Sequence, residues 1–273
     1  MILLQKESCC MDTIKPIPSS YMKPCSHAGR LEELQIPDFS PALVYLPYGY
    51  DDLSAPLNTF YFLHGGGGNH RSFFSEDGLA KNLFDHMIQA CEIDPMLIIA
   101  PSYYPLGYSG KGISYSAEAV KDFGPVLMNR IVPLVDRTYR TVPDRIHRAI
   151  GGFSMGAVAT WYTLMAGLDL FHWFMPLSGD CWICGELGGG LHAKQTAALL
   201  GDSLLGREFY IHALIGDEDI AFPNLDPQMQ AMKEFPETFS FGRNTFYSVL
   251  KGGVHDYPDV RCYIYNALPE FFR

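Results

Sequence analysis

Gly151-Gly152-Phe153-Ser154-Met155-Gly156 is the stretch whose reading decides the fold. It contains Gly152-x-Ser154-x-Gly156, the spacing of a nucleophile elbow. In such an elbow a strand turns sharply into a helix and leaves a serine hydroxyl exposed at the top of a sheet. The turn is crowded, so its flanking positions need residues with little or no side chain. The surroundings agree: Ile146 to Ile150 reads as a short buried strand and Ala157 to Met165 as a helix. A chain with 26 glycines can produce this spacing by chance. The strand before it and the helix after it set this instance apart.

Outward from the elbow, apolar strands alternate with amphipathic helices. On the N-terminal side, Ala42 to Leu46, Asn58 to Leu63 and Met96 to Ala100 read as strands, and Gly78 to Cys91 has helical spacing. Residues 102–114 form a Tyr/Gly/Ser loop. Ala117 to about Tyr139 is a long amphipathic helix that Pro125 and Pro133 bend or break. On the C-terminal side, strands are expected at Trp173 to Leu177, Phe209 to Ile215 and Thr245 to Leu250. Helices are expected at His192 to Leu200, Pro227 to Phe235 and Pro258 to Phe272, with a loop from Ser178 to Gly190. This alternation predicts an α/β fold with a mostly parallel sheet covered by helices on both faces. Residues 1–30 carry Pro16, Pro18 and Pro24 with little periodicity and read as an extended arm. Residues 31–273 read as one domain, with no repeat or linker.

Composition narrows the function. With 273 residues, 48% of them apolar, the chain can bury a substantial core. The net charge of -10 and the lack of a basic patch argue against a nucleic-acid partner. No apolar run reaches the length of a membrane span. The first residues have too short an apolar core for a secretory signal, so the protein is expected inside the cell unless a signal has been removed. Seven cysteines at scattered spacings do not describe a disulfide framework. Cys181-Trp182-Ile183-Cys184 is a lone C-x-x-C in a glycine-rich loop, without the second pair that a zinc site needs. No metal or other cofactor is expected.

A serine hydroxyl needs a base within reach, and the base needs an orienting carboxylate. In this fold they follow in the order serine, acid, histidine, each after a later strand. Among nine histidines, His255 alone lies in a glycine-rich loop at the end of the last strand. His212 and His172 sit on or beside strands and read as structural. For the acid, Asp217 and Asp219 both follow the strand after the elbow unit, and spacing alone does not separate them. Asp256 reads as a solvated loop carboxylate, and Asp180 follows a different strand. The oxyanion of an acyl-transfer intermediate needs preorganised N–H donors. Met155 at the start of the elbow helix supplies one. Gly65 or Gly66, in the run His64-Gly65-Gly66-Gly67-Gly68 after a buried strand, supplies the other. A phosphate loop is the rival reading of that run, but no Gly-Lys-Ser/Thr follows it.

Several stretches together resemble the carbohydrate esterase family 1 feruloyl esterases, catalytic domains often attached to xylanases. They are Pro24 to Arg30, Val44 to Tyr50, Leu63 to Gly67, Gly151 to Trp161, Met175 to Asp180, Glu218 to Ala221 and Tyr263 to Pro269. The resemblance covers nearly the whole chain from about residue 20. It implies an α/β-hydrolase with no large lid, Ser154 as nucleophile, His255 as base and Asp219 as acid. The implied activity is release of ferulate or related hydroxycinnamates from feruloylated xylan, xylo-oligosaccharides or small hydroxycinnamate esters. Acetyl or short-acyl ester hydrolysis is the alternative on the same scaffold. Acyl transfer to a sugar, and a catalytically dead ligand binder, are further readings; the intact Ser, Asp, His set argues against the last. After His255 the chain carries Asp256-Tyr257-Pro258, where the family pattern carries tryptophans. A ferulate ring needs an apolar slot beside Ser154. Trp182 is the first candidate for it, followed by Tyr103, Tyr104 and Tyr257 in loops after strand ends.

Overall fold

Unbroken apolar runs such as Met96-Leu97-Ile98-Ile99-Ala100 can be buried on both faces only if helices cover both sides of a sheet. The computed structural model, which describes residues 14–75, 79–107 and 112–273, has this arrangement. In chain order the elements are β1 (Arg30–Leu34), β2 (Ala42–Leu46), β3 (Asn58–Leu63), α1 (Ala80–Gln89), β4 (Met96–Ala100), α2 (Ile113–Val126) and α3 (Val132–Thr138). Then come β5 (Arg148–Phe153), α4 (Met155–Ala166), β6 (Trp173–Leu177), α5 (Gly188–Leu191) and α6 (Ala193–Leu204). The chain closes with β7 (Tyr210–Gly216), α7 (Phe222–Met232), β8 (Thr245–Leu250) and α8 (Tyr257–Ala267).

Among the described residues one eight-stranded sheet forms, in the order β1-β2-β4-β3-β5-β6-β7-β8. The pairs β1·β2 and β2·β4 are antiparallel, and every later pair is parallel. Side chains alternate across each strand. On β3, Tyr61 and Leu63 enter the core beneath α2, α3, α4, α6 and α7, whereas Phe60 and Phe62 enter the core beneath α1 and α8. The parallel register sets the carboxyl ends of β5, β6 and β7 side by side, with Phe153 opposite Leu177 and Leu177 opposite Leu214. The elbow, the Ser178 loop and the loop after β7 therefore open onto one edge.

Several boundaries differ from those expected. β1 is an edge strand whose Arg30, Glu32 and Glu33 hide it from an apolar-run search; charge on an edge blocks pairing with other chains. The elbow strand begins at Arg148, because Arg145–His147 is a 3₁₀ turn with Ile146 exposed. It runs through Gly151 and Gly152, which pair with Met175 and Pro176. The long helix is two helices joined by a π-type segment at Leu127–Ile131, between Pro125 and Pro133, two residues without a backbone donor. α7 starts early, with Pro223 in its first turn, where a missing N–H costs nothing. Residues 1–13 of the expected arm, the Gly78 start of the first expected helix and residues 108–111 of the Tyr/Gly/Ser loop lie outside the described residues. From Ile14 the arm packs Ile14, Ile17 and Tyr21 on the α1/α8 core. The Asn266 amide clips it, accepting from Lys15 N–H at 2.8 Å and donating to Lys15 C=O at 2.9 Å.

Candidate active site

Close packing of backbone on backbone builds the elbow. A Cβ on Gly152 would stand 2.5 Å from the Gly156 carbonyl carbon, and one on Gly156 would stand 2.2 Å from Leu63 O. Any side chain at either position would push β5, α4 and β3 apart. Between these glycines Ser154 adopts φ 56° and ψ -115°, a conformation an L-residue holds only when its surroundings impose it. Its N–H is tied to Leu177 O at 2.9 Å. Its carbonyl accepts from Ala157 and Val158 N–H, which starts α4. The N–H of Met155, the first residue of α4, has no acceptor within the helix and adds to its positive end.

Asp219 and His255 arrive on neighbouring strands. Asp219 follows β7 and is buried; its Oδ1 lies 2.7 Å from His255 Nδ1 in the loop after β8. A carboxylate only accepts, so Nδ1 carries the hydrogen and Nε2 keeps a lone pair. Ala221 N–H also donates to Asp219 Oδ1, at 2.7 Å, which fixes the carboxylate. Phe153 lies against the imidazole with ring centroids 4.5 Å apart. Asp217 is turned elsewhere: its Oδ1 accepts Gly252 N–H. With Asp217 N–H on Leu250 O and Glu218 N–H on Gly253 O, it ties the acid loop to the histidine loop. Asp256 differs from the solvated loop residue expected. It caps α8, accepting from Asp259 N–H at 2.9 Å, and Asp259 in turn accepts from Val254 N–H at 2.6 Å. The pattern Asp256-Tyr257-Pro258-Asp259 carried that signal, since an acid before a proline-led helix turn is a capping sequence.

The glycine run lies over the elbow. A Cβ on Gly65 would stand 3.6 Å from Ser154 Cβ, and one on Gly66 would stand 3.1 Å from Met155 Cγ. His64 beneath it is buried. Its Nδ1 donates to Gly65 O at 2.8 Å, and its Nε2 accepts from the Ser102 hydroxyl at 2.9 Å. Burial, the largest influence, pulls this imidazole down to about 4, so it is neutral near pH 7.

Ser154, Met155, Gly66 and His255 line one cleft of about 510 Å³, a size suited to a small-molecule acyl group. Trp182, Asp180, Leu187, Ile220 and Asn224 line it too. The Trp182 indole N–H donates to Asp180 Oδ1 at 3.0 Å. Asp180 Oδ2 takes Gly189 N–H at 2.8 Å, while burial raises the acid above the usual carboxylate range. Trp182 thus offers the cleft apolar ring surface with its one polar atom already engaged.

The three tyrosines expected beside Trp182 do not line this cleft. Tyr103 and Tyr104 are buried, only 1% and 2% exposed, beneath the glycine run. Tyr103 donates to Gly65 O at 2.9 Å, and Tyr104 accepts from Gly67 N–H at 3.0 Å. Tyr257 packs on Phe153, ring centroids 5.2 Å apart, with its phenol oxygen towards Gly65 and Ser72. An aromatic residue after a strand end can point into the cleft or under the loop, and the sequence does not say which.

Among the described residues, no group of three or more His, Cys, Asp or Glu side chains is arranged to hold a metal ion. No described helix is long and apolar enough to cross a membrane. Cys25, Cys91, Cys181, Cys184 and Cys262 are free thiols.

A serine at a strand-to-helix elbow, on a mostly parallel sheet with helices on both faces, makes this chain an α/β-hydrolase. Residues 38–231 match the model of the Esterase family, described as "Putative esterase", and the chain belongs to that family. It is 36% identical over 276 residues to endo-1,4-beta-xylanase Y of Acetivibrio thermocellus, covering 95% of this chain and 24% of the relative. It spans about a quarter of the length of the curated relatives it matches. Among solved structures, a serine-to-alanine mutant of the feruloyl esterase module from Clostridium thermocellum, complexed with sinapinate, superposes with TM-score 0.81 at 34% identity. That match covers 96% of this chain and 94% of the module. A ferulic acid esterase from Anaeromyces mucronatus in complex with ferulic acid shares the fold, with TM-score 0.72 at 17% identity over 94% of this chain and 96% of the other. These matches bear out the family resemblance read from the sequence.

Proposed function

We propose that this chain is a serine carboxylesterase that releases ferulate or a related hydroxycinnamate from arabinoxylan side chains or their oligosaccharides. The observation that carries the reading is the cleft shared by Ser154, His255 and the apolar face of Trp182. The Clostridium module, crystallised with sinapinate, supports the acyl class.

In this reading the Ser154 hydroxyl attacks the ester carbonyl and its proton passes to His255 Nε2. The carbonyl π electrons move to oxygen, and the resulting oxyanion takes hydrogen bonds from Met155 N–H and from an N–H of the Gly65-Gly66 segment. Collapse breaks the bond to the sugar oxygen, which leaves as an alcohol with the proton from His255. Water, deprotonated by His255, then attacks the acyl-enzyme. The second collapse frees the hydroxycinnamate and returns the proton to Ser154. Asp219 keeps Nδ1 protonated throughout and steadies the imidazolium.

A substrate panel tests this. Methyl ferulate and methyl sinapate are expected to be hydrolysed with kcat/KM well above that for acetylated xylan. Good acetyl release with no hydroxycinnamate turnover would give the chain to the acetyl esterase alternative.

A further inference from the structure

Gly66 sits between two peptide planes, and each is held by a different tyrosine. The Gly65–Gly66 plane is fixed through Gly65 O, which receives Tyr103 O–H at 2.9 Å, His64 Nδ1–H at 2.8 Å and Gly68 N–H at 3.1 Å. The Gly66–Gly67 plane is fixed through Gly67 N–H, which donates to Tyr104 at 3.0 Å. Neither phenol is free to turn. The Tyr104 hydroxyl lies 2.5 Å from Ser116 Oγ, and Ser116 donates to Gly112 O at 3.2 Å, so Tyr104 donates to Ser116 and accepts from Gly67. His64 is oriented by Ser102, which also accepts Tyr104 N–H at 3.1 Å. In a trans peptide the N–H points opposite to the C=O, and the described chain contains no cis bond. With Gly65 O turned under the loop, Gly66 N–H is turned the other way, to the cleft that Gly66 lines.

A glycine with a free φ and ψ would spend much of its time with this N–H misdirected. We propose that Tyr103 and Tyr104 are positioning residues for the oxyanion: by holding the planes on both sides of Gly66 they present its N–H, rather than that of Gly65, to the tetrahedral intermediate. The inference rests on the esterase reading above. Gly65, unlike Gly66, does not line the cleft. The buried hydroxyls of the loop thus act on the transition state through the backbone and not by touching the acyl group.

A donor that counts only when the oxyanion forms alters kcat and leaves KM nearly alone. The test compares wild type with Tyr103→Phe, Tyr104→Phe and the double variant, on nitrophenyl acetate and methyl ferulate, with phenylboronic acid as a tetrahedral-adduct probe. Each single variant is expected to lose about 10-fold in kcat on both esters, and the double variant about 10²- to 10³-fold, as for loss of an oxyanion donor. KM should stay within about threefold, and boronate affinity should fall in parallel with kcat. Tyr61→Phe, which removes a buried phenol away from the loop, is the control and should keep wild-type kcat.

Unchanged kcat in the double variant, or a rise in KM alone, would overturn the proposal. So would a loss that tracks a fall in Tm without a fall in boronate affinity. If the phenylalanine variants do not fold, Ser116→Ala removes the acceptor that orients Tyr104, together with its bond to Gly112 O; it should cost two- to fivefold in kcat, and no cost overturns the idea. Failure of the esterase reading itself is seen separately, as a wild type that neither turns over an ester nor is labelled at Ser154 by a phosphonate.

Discussion

Asp217 Oδ1 accepts the Gly252 N–H at 2.5 Å and so binds the turn after β8 to the end of β7. Two residues on, Asp219 takes the His255 imidazole. The two carboxylates divide the work: one holds the loop that carries the histidine, and the other orients the histidine itself. Asp219→Asn is expected to lower kcat roughly 10³- to 10⁴-fold with little change in KM, because an amide can no longer select the Nδ1–H tautomer. Asp217→Asn should keep most activity and lose about 1 kcal/mol of stability, the worth of one hydrogen bond. Kinetics and urea unfolding of both variants check this; the reverse pattern would exchange the two roles.

The positive φ of Ser154 should be visible in stability. Ser154→Ala and Ser154→Gly should both lower turnover by several powers of ten. They should differ in stability. Alanine keeps the Cβ at φ 56°, whereas glycine relaxes it. Ser154→Gly is therefore expected to be about 1 kcal/mol the more stable of the two, after the entropy that glycine adds to the unfolded chain. Gly156→Ala should fail to fold, given the 2.2 Å approach of its Cβ to Leu63 O. A soluble, active Gly156→Ala protein would contradict the elbow geometry.

Trp182 gives the cleft apolar area, which an acetyl group is too small to use. Trp182→Ala should cut kcat/KM for methyl ferulate at least about 10-fold more than for nitrophenyl acetate, in line with the area an aromatic ring buries. Asp180→Asn, which weakens the grip on the indole, should shift the ratio in the same direction by less. Equal losses on both esters would show that Trp182 supports the loop instead of the ring.

Stability should fall on mild acidification. Burial pulls His64 and His212 down to about 4. In the unfolded chain each takes up a proton as pH falls through about 6.5, while the folded state resists until about 4. Their contribution is complete above pH 6.5 or so and is lost between there and about pH 4, with a slope of at most about 1.4 kcal/mol per pH unit for each. Urea midpoints at pH 6.5 and 5 measure the slope. His212→Gln should flatten it; an unchanged slope would show that His212 has no part in it.

How far the sequence could be read follows from the kind of signal each part carries. Met96 to Ala100 and Trp173 to Leu177 are strands at the boundaries their apolar runs suggest, because runs buried on both faces need no partner to be recognised. Ser154 and His255 stood out by glycine context and chain order. Arg30–Leu34 stayed hidden because an edge strand has the composition of a loop. Asp217 and Asp219 were inseparable by spacing, since the choice between them depends on the path of a loop that closes onto another strand. Tyr103 and Tyr104 were placed in the right loop but given the wrong direction. Under the glycine run Tyr103 stacks on His64 and Tyr104 bonds Ser116, partners distant from them in sequence.

At the end of β7 a Cβ on Gly216 would stand 2.1 Å from Gly253 O, so acid loop and histidine loop touch backbone to backbone with no side chain between them. For anyone recombining this scaffold with a relative, residues 216–219 and 250–255 are one cassette. Exchanged together they carry their own spacing between carboxylate and imidazole. Exchanged singly, they would set a foreign turn against a surface made for another, and the first thing to drift would be the position of the His255 ring at the cleft.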